Sequence, residues 1–349
     1  MGYTMGSSLC RKRRNLEGGL MATIAMVDFD FDDCNFEREM AEAAGVRFTS
    51  FNHGRNCTAD EIIAHSADAD GIITSYGRFT AEVIGALPSL KVISKTGTGV
   101  DNIDIAAATA NGTVVCNVPG YGTEVVSDHA IALALAVLRR INELDADMRA
   151  GVWNFRQRRP LGQVAGRTFA VAGYGNIGRA TATKAAGLGF KVVVWDRRCA
   201  PGTVTAEGFP CLSLDDLLRA ADVVSFHTAL TPETRHLLNA GNIGLLKEDA
   251  VVVNTARGAV IDTDAVAATL AAGRLWGAGL DVFENEPLPP TAAIRTAPHT
   301  VLTPHAAYWS EESAAELRRR CTQNAIDMVL GRTPKACVNP EALAAALAK

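Results

Sequence analysis

The stretch TFAVAGYGNIGRATATKAAGLGFKVVVWD, residues 168–196, decides how the rest of the chain is read. A short apolar run leads into Gly173, Gly175 and Gly178 in G-x-G-x-x-G spacing, then a helical pattern, then a second apolar run ending at Asp196. The first glycine permits a tight turn, the second lets backbone approach a pyrophosphate, and the third lets helix pack on strand. Asn176 and Ile177 open the helix, whose N-terminal dipole favours an anion. A carboxylate at Asp196 can accept both ribose hydroxyls of an adenosine half, which favours NAD over NADP. Arg197 and Arg198 follow immediately and could hold a 2′-phosphate, so dual use stays open.

Outward from this unit the same alternation continues in both directions. Upstream, ATIAMVDF, VRFTSF, DGIITS, KVISKT and TVVCN alternate with EREMAEAAG, TADEIIAHSA, TAEVIGAL and DIAAATANG. Downstream follow DVVSFHT, AVVVNT, WGAGLDVF and TVLTP. Apolar runs alternating with helical patterns predict α/β architecture with two wound parallel sheets. Between them TEVVSDHAIALALAVLRRINELDADMRAG predicts one long helix, with Thr123 as a cap. Its apolar density exceeds a one-face stripe, so it is expected to pack on two sides, one of them against a second subunit in a homodimer. The run SEESAAELRRRCTQNAIDMVLG carries the chain back, making the first domain discontinuous with a cleft between the two. The expected division is 21–123 with 308–338, and 124–307.

The chain has 349 residues and a formal net charge of -4. That length predicts two domains, and that charge argues against nucleic-acid or anionic-membrane binding and for a small-molecule ligand. Eight cysteines without a C-x-x-C pair or zinc spacing read as reduced thiols in a cytoplasmic protein. Neither His227 with His236 nor His299 with His305 makes a metal-ligand set, so no metal is expected. Residues 1–20 carry RKRR but no apolar stretch fit for a signal peptide or membrane span. They read as a disordered leader, from an upstream start or an artificial addition.

Three later segments place chemistry at strand ends. VVVNTARGAV puts Arg257 just past a buried strand, where open α/β sheets bind ligands. Its planar guanidinium suits a carboxylate or phosphate, although a structural ion pair would use the same residue. GLDVFENEP supplies Glu284 and Glu286, and TVLTPHAAYWS supplies His305. A histidine is the natural proton donor and acceptor near neutrality, and a paired carboxylate stabilises its imidazolium and fixes its tautomer.

With KTGTGVDNIDI, GYGNIGR, HTALTPET, VNTARG, DVFENEP and TPHAA in this order, the chain resembles the D-isomer-specific 2-hydroxyacid dehydrogenases. VVCNVPGYG and HAAYWSEESAAELRRR look most like the C-terminal-binding-protein branch, which mixes dehydrogenases and transcriptional corepressors. The resemblance implies a Rossmann dinucleotide-binding domain, a flavodoxin-like substrate domain, and an NAD-dependent oxidoreductase acting on the CH-OH group of a small anionic 2-hydroxyacid or 2-oxoacid. It implies that Arg257 binds the substrate, that Glu286 holds His305, and that His305 passes a proton as hydride moves. Glu286 is preferred because it precedes proline, leaving Glu284 as a solvated neighbour.

Further roles follow from the same resemblance. Lys95, Thr96, Gly97, Thr98 and Gly99 would line the substrate side, with amides from Gly97 onward facing the carboxylate. A simple tight turn remains the alternative for this segment. Thr255, Ala256 and Asp281 would lie near the nicotinamide, and His227 and Thr228 beneath the adenosine. This chain lacks the proline that family members commonly place after His227 and Thr228. Arg78, Lys95, Tyr76, Tyr308 and Trp309 are candidates for the pocket wall. Two other functions stay open: an NAD(H)-sensing corepressor-like binding protein, from the same resemblance, and an oxidoreductase for a phosphonate-type acid, from the cations Arg78 and Lys95.

Overall fold

The computed structural model describes residues 21–52 and 54–349, so the expected leader lies outside the described residues. Its contacts divide the chain into one unit ending at Pro119 and resuming as Ala314–Lys349, and a second unit, Gly120–Ser313. The second unit thus begins before the expected residue 124 and ends after 307, and residues 339–349 join the first unit. Asn339 shows why: its Oδ1 accepts from Val115 N at 2.7 Å, and its Nδ2 donates to Thr113 O at 3.0 Å.

In the first unit, β1 (Thr23–Met26), β2 (Arg47–Ser50), β3 (Gly71–Thr74), β4 (Val92–Lys95) and β5 (Val114–Cys116) form a parallel sheet ordered β2-β1-β3-β4-β5. This is the flavodoxin-like order. All but edge strand β2 are wholly buried, which is why they read as unbroken apolar runs rather than alternating ones. Helices α1 (Asn35–Ala43), α2 (Ala59–Ser66), α3 (Ala81–Gly85) and α4 (Ile105–Ala110) make the crossovers. Thr58 and Glu61 close a reciprocal capping box on α2. Asp28, fully buried beyond β1, accepts from Thr74 Oγ1 at 2.7 Å, Ser75 N at 2.9 Å and Gly77 N at 2.9 Å, and also from Tyr76 N. One carboxylate therefore shapes the loop after β3.

The second unit holds β6 (Thr168–Ala172), β7 (Lys191–Trp195), β8 (Val223–Phe226), β9 (Val251–Asn254), β10 (Gly277–Leu280) and β11 (Thr300–Leu302), all parallel, in the order β11-β10-β9-β8-β6-β7. The order reverses at β6, which lies between β7 and β8, and this is the switch point where such sheets open a crevice.

The single long helix expected ahead of β6 is two: α5 (Thr123–Leu138) and α6 (Ile141–Arg149). Arg140 breaks it with φ 52°. Its buried guanidinium stacks over Trp276 at 5.2 Å, pairs with Glu143 at 3.0 Å and donates to Arg158 O at 3.1 Å. Those partners hold a left-handed conformation that arginine alone disfavours. The expected cap at Thr123 is also corrected: Gly122 is the N-cap and Thr123 is the first helical residue.

The two-sided packing of α5 is largely internal. It lies against α7 (Asn176–Gly187) and against β10. There a Cβ on Gly277 would stand 2.5 Å from Val137 Cγ1, and one on Gly279 2.8 Å from Leu133 Cβ. The unit is completed by α8 (Leu214–Ala220) and α9 (Thr263–Ala271). Helix α10 (Glu311–Val329) runs into the first unit, which ends in α11 (Leu343–Ala348). From α10, Arg318 pairs with buried Glu37 at 2.7 Å.

Two measurements test this architecture. Asp28→Ala leaves several buried donors unpaired and should destabilise the protein by about 3 kcal/mol or more, seen as an earlier urea transition, with Asp28→Asn losing less. His227, just past β8, is pushed down by burial to about 3 and stays neutral. An unfolded histidine titrates near about 6.5, so the unfolded chain takes up the proton first. This residue's contribution should be full above about pH 6.5 and lost progressively toward pH 3. Urea midpoints measured against pH should show an acid decline that is shallower in His227→Gln.

Candidate active site

At the switch point the fingerprint forms a cradle. Gly173 has φ +100°, and a Cβ there would lie 2.7 Å from the His227 carbonyl carbon and 2.8 Å from Thr228 N. Gly178 is closer still to backbone: its Cβ would stand 1.9 Å from Gly173 O. The third glycine thus closes against the first as well as against β6. Nothing lies within 4 Å of the Cβ position at Gly175, the N-cap of α7, so backbone is open to a ligand there. Asn176 and Ile177 form the first turn of that helix.

Asp196 ends this cradle beyond β7. Burial raises its pKa, but the Arg198 guanidinium and the amides of Arg198 and Tyr174 outweigh burial and hold the carboxyl down at about 2. Tyr174 N donates to Oδ2 at 2.8 Å, and Arg198 donates from N at 3.0 Å and Nε at 2.9 Å to Oδ1. Arg197 turns toward Glu233, at 3.7 Å. Ribose hydroxyls taking both carboxylate oxygens would have to displace the Arg198 side chain. Thr228 Oγ1 and Thr255 Oγ1 are buried hydroxyls with no hydrogen-bond partner among the described residues. An open glycine turn, an ionised acid and two unsatisfied hydroxyls fit a dinucleotide.

Three neighbouring strands, β9, β10 and β11, bring the expected trio to one sheet edge. Arg257 follows β9, Glu286 follows β10 and His305 follows β11. His305 Nδ1 donates to Glu286 Oε2 at 2.7 Å, and Phe283 N donates to Glu286 Oε1 at 2.9 Å. The carboxylate is thus oriented by its own loop while it orients the ring. His305 itself has φ 57°, and its amide donates to Asp281 O at 2.7 Å.

Arg257 donates from one guanidinium nitrogen to Ala256 O at 2.9 Å. The glycine after it has a steric cause: a Cβ on Gly258 would stand 1.8 Å from the Phe283 carbonyl carbon. The arginine loop is therefore pressed onto the loop that carries Glu286. Glu284 is exposed and lies 3.0 Å from His236 Nε2 and 3.3 Å from Arg235.

Asp281, expected near the nicotinamide, is fully buried. Its Oδ1 accepts from Thr303 Oγ1 at 2.6 Å and Ala306 N at 2.9 Å, and its Oδ2 from Ala307 N at 3.0 Å. It clamps the turn that presents His305.

Sequence reasoning missed several partners here. His129 of α5 donates from Nε2 to Thr303 Oγ1 at 3.0 Å. Asn254 donates to Arg257 O at 2.9 Å and accepts from Ala256 N at 3.0 Å. Burial pushes the Tyr121 hydroxyl up, with Tyr308 adding to the effect and Arg257 opposing it. A polar histidine inside the apolar run of α5 was a visible signal; the other residues had none.

In the first unit, Lys95 is buried, donates to Thr96 O at 3.2 Å and lies 5.9 Å from the Tyr76 ring centroid. Thr96 Oγ1 meets Ser75 Oγ at 2.5 Å, and Thr98 Oγ1 donates to Val118 O at 3.2 Å. The Gly97 amide, expected to face a substrate carboxylate, donates instead to Lys95 O at 3.0 Å. The loop turns tightly enough to use that donor itself. Among the described residues no cluster of three or more histidine, cysteine or acidic groups could hold a metal ion.

Comparison with known proteins places the chain in a family. The D-isomer specific 2-hydroxyacid dehydrogenase NAD-binding domain matches residues 131–307. A glyoxylate reductase of Thermofilum pendens is 38% identical over 291 residues, covering 81% of this chain and 85% of that protein. The crystal structure of a glyoxylate reductase from Paecilomyes thermophila superposes with a TM-score of 0.81 at 30% identity, over 92% of this chain and 99% of that one. D-Lactate dehydrogenase from Aquifex aeolicus, solved with NAD and lactic acid, gives 0.81 at 25% identity, over 90% and 99%. The chain belongs to the D-isomer specific 2-hydroxyacid dehydrogenase family, as an NAD-dependent oxidoreductase acting on CH-OH groups.

Proposed function

We propose that this protein reduces a small 2-oxoacid to its D-2-hydroxyacid, and runs the reverse oxidation, with His305 as proton carrier and Arg257 as substrate anchor. The observation that carries the reading is the 2.7 Å bond from His305 Nδ1 to Glu286 Oε2 at the sheet edge shared with Arg257. Glyoxylate reductases among its relatives support a compact oxoacid as the substrate class. When bound, NADH supplies the hydride.

The chain's residues account for the rest. Gly173, Gly175, Asn176 and Ile177 would receive the pyrophosphate, Asp196 the adenosine ribose, and His227 and Thr228 the adenosine. Thr255, Ala256 and Asp281 would lie toward the nicotinamide. Residues 95–99 keep their substrate-side role on the strength of the resemblance. Because Nδ1 keeps its proton in the hydrogen bond to Glu286, Nε2 is the atom that gives a proton to the developing alkoxide and recovers it in reverse. Glu286 stabilises the imidazolium form that does this. A guanidinium on the substrate carboxylate and carbonyl fixes orientation and opposes the charge that grows in the transition state.

We also propose a homodimer in the cytoplasm. All seven described cysteines are free thiols. The exposed apolar side chains Ile141, Met148, Trp153 and Phe155, with Trp153 87% exposed, gather on α6 and the segment after it. A surface of this kind fits a second copy of the chain.

Steady-state NADH oxidation over glyoxylate, pyruvate, hydroxypyruvate and longer oxoacids tests the activity. His305→Ala should lower kcat by about 10²–10⁴-fold while NADH binding is retained; normal turnover would remove His305 from the mechanism. Arg257→Ala should lower kcat/KM by on the order of 10²–10³-fold, mainly through substrate. Light scattering tests assembly: Trp153→Asp should yield a monomer, and an unchanged dimer would place the interface elsewhere.

A further inference from the structure

Two thiols beside the adenosine end of the cradle are used by nothing described above. Cys211 Sγ donates to Cys199 Sγ across only 2.7 Å, about 0.7 Å more than a disulfide bond of about 2.0 Å. The backbone holds both residues in place. Cys211 bridges β7 at Val194, its amide donates to Thr203 O at 2.8 Å, and its carbonyl accepts from Gly202 N at 2.9 Å. The Cys199 amide donates to Asp196 O at 2.9 Å, so Cys199 closes the same turn that folds Arg198 onto the Asp196 carboxylate. Cys211 is fully buried and Cys199 is partly exposed. An oxidant from solution therefore meets Cys199 first, with Cys211 behind it as the resolving thiol.

We propose that Cys199 and Cys211 form a reversible disulfide that controls dinucleotide binding through the Asp196 turn. The chemistry is exchange with a small disulfide. The Cys199 thiolate attacks one sulfur of the oxidant, breaking its S–S bond and releasing one thiol, which carries away the Cys199 proton. The Cys211 thiolate then attacks Cys199 Sγ in the mixed disulfide, forming the internal S–S bond and releasing the second thiol with the second proton. Two electrons leave the protein's sulfurs and reduce the oxidant to two thiols. The neighbouring Cys211 thiol, together with burial and Asp196, pushes Cys199 up to about 11, so this thiol rests protonated and exchange is slow until oxidant accumulates.

Closing the gap tightens the Asp196 turn and keeps Arg198 on the carboxylate that ribose hydroxyls need. Oxidation thus opposes NADH. By linkage, bound NADH opposes oxidation to the same degree. The inference rests on Asp196 as the ribose acid, and its test separates the two ideas.

Full-length reduced protein is treated with oxidised glutathione; cross-linked peptides are mapped by mass, and NADH affinity is titrated by fluorescence. A Cys199–Cys211 link, an affinity loss of about fivefold or more reversed by dithiothreitol, and slower linking in the presence of NADH are expected. The Cys199→Ser, Cys211→Ser double variant should bind NADH as the reduced protein does and ignore glutathione. A persistent glutathione adduct on Cys199 without the link, a link that leaves affinity unchanged, or the same loss in the double variant would each overturn the switch. Failure of the reduced protein to bind NADH would overturn the dinucleotide reading and the switch with it.

Discussion

The active edge of the second unit depends on one buried carboxylate. Asp281 ties three strand ends together: its side chain takes Thr303, Ala306 and Ala307, and its carbonyl takes the His305 amide. Its own amide donates to Asn254 O, and the Asn254 side chain in turn holds both sides of the Arg257 loop. In a site removed from water, a fully satisfied network of this kind is rigid because each lost bond strands a buried group. His305 and Arg257 thereby share one scaffold. Gly258 completes it by allowing the Phe283 backbone to approach where any Cβ would collide.

Periodicity made most of this architecture legible. The apolar runs of the wound sheets are strands β1 to β11: the inner strands are covered on both faces and so are apolar throughout, while β2, β7 and β11 are only partly buried. The trio was legible for a related reason: arginine, glutamate and histidine each follow such a run, and strand ends are where these sheets place chemistry. The break at Arg140 was not legible. Nothing in LRRINEL opposes a continuous helix, and the left-handed residue is imposed by Trp276, Glu143 and Arg158, which are distant or on the far side of the break. Thr303 and Tyr121 were likewise invisible, since their partners are distant in sequence, and Asn254, whose side chain bonds Ala256 and Arg257 nearby, carried no separate signal.

Gly173, Gly178 and Gly258 are backbone constraints, each standing where a Cβ would meet main chain. The resemblance to the C-terminal-binding-protein branch is carried by sequence motifs alone.

His305 sits on left-handed backbone, at φ 57°. A side chain held there costs on the order of 1–3 kcal/mol, and glycine would relieve most of it. Selection acting on foldedness alone would therefore drift this position toward glycine or asparagine. If His305 carries the proton as proposed, a lineage that keeps histidine here is held by the reaction rather than by the fold. Relatives that have given up turnover but kept the scaffold should betray themselves at this residue first, well before the glycine cradle decays.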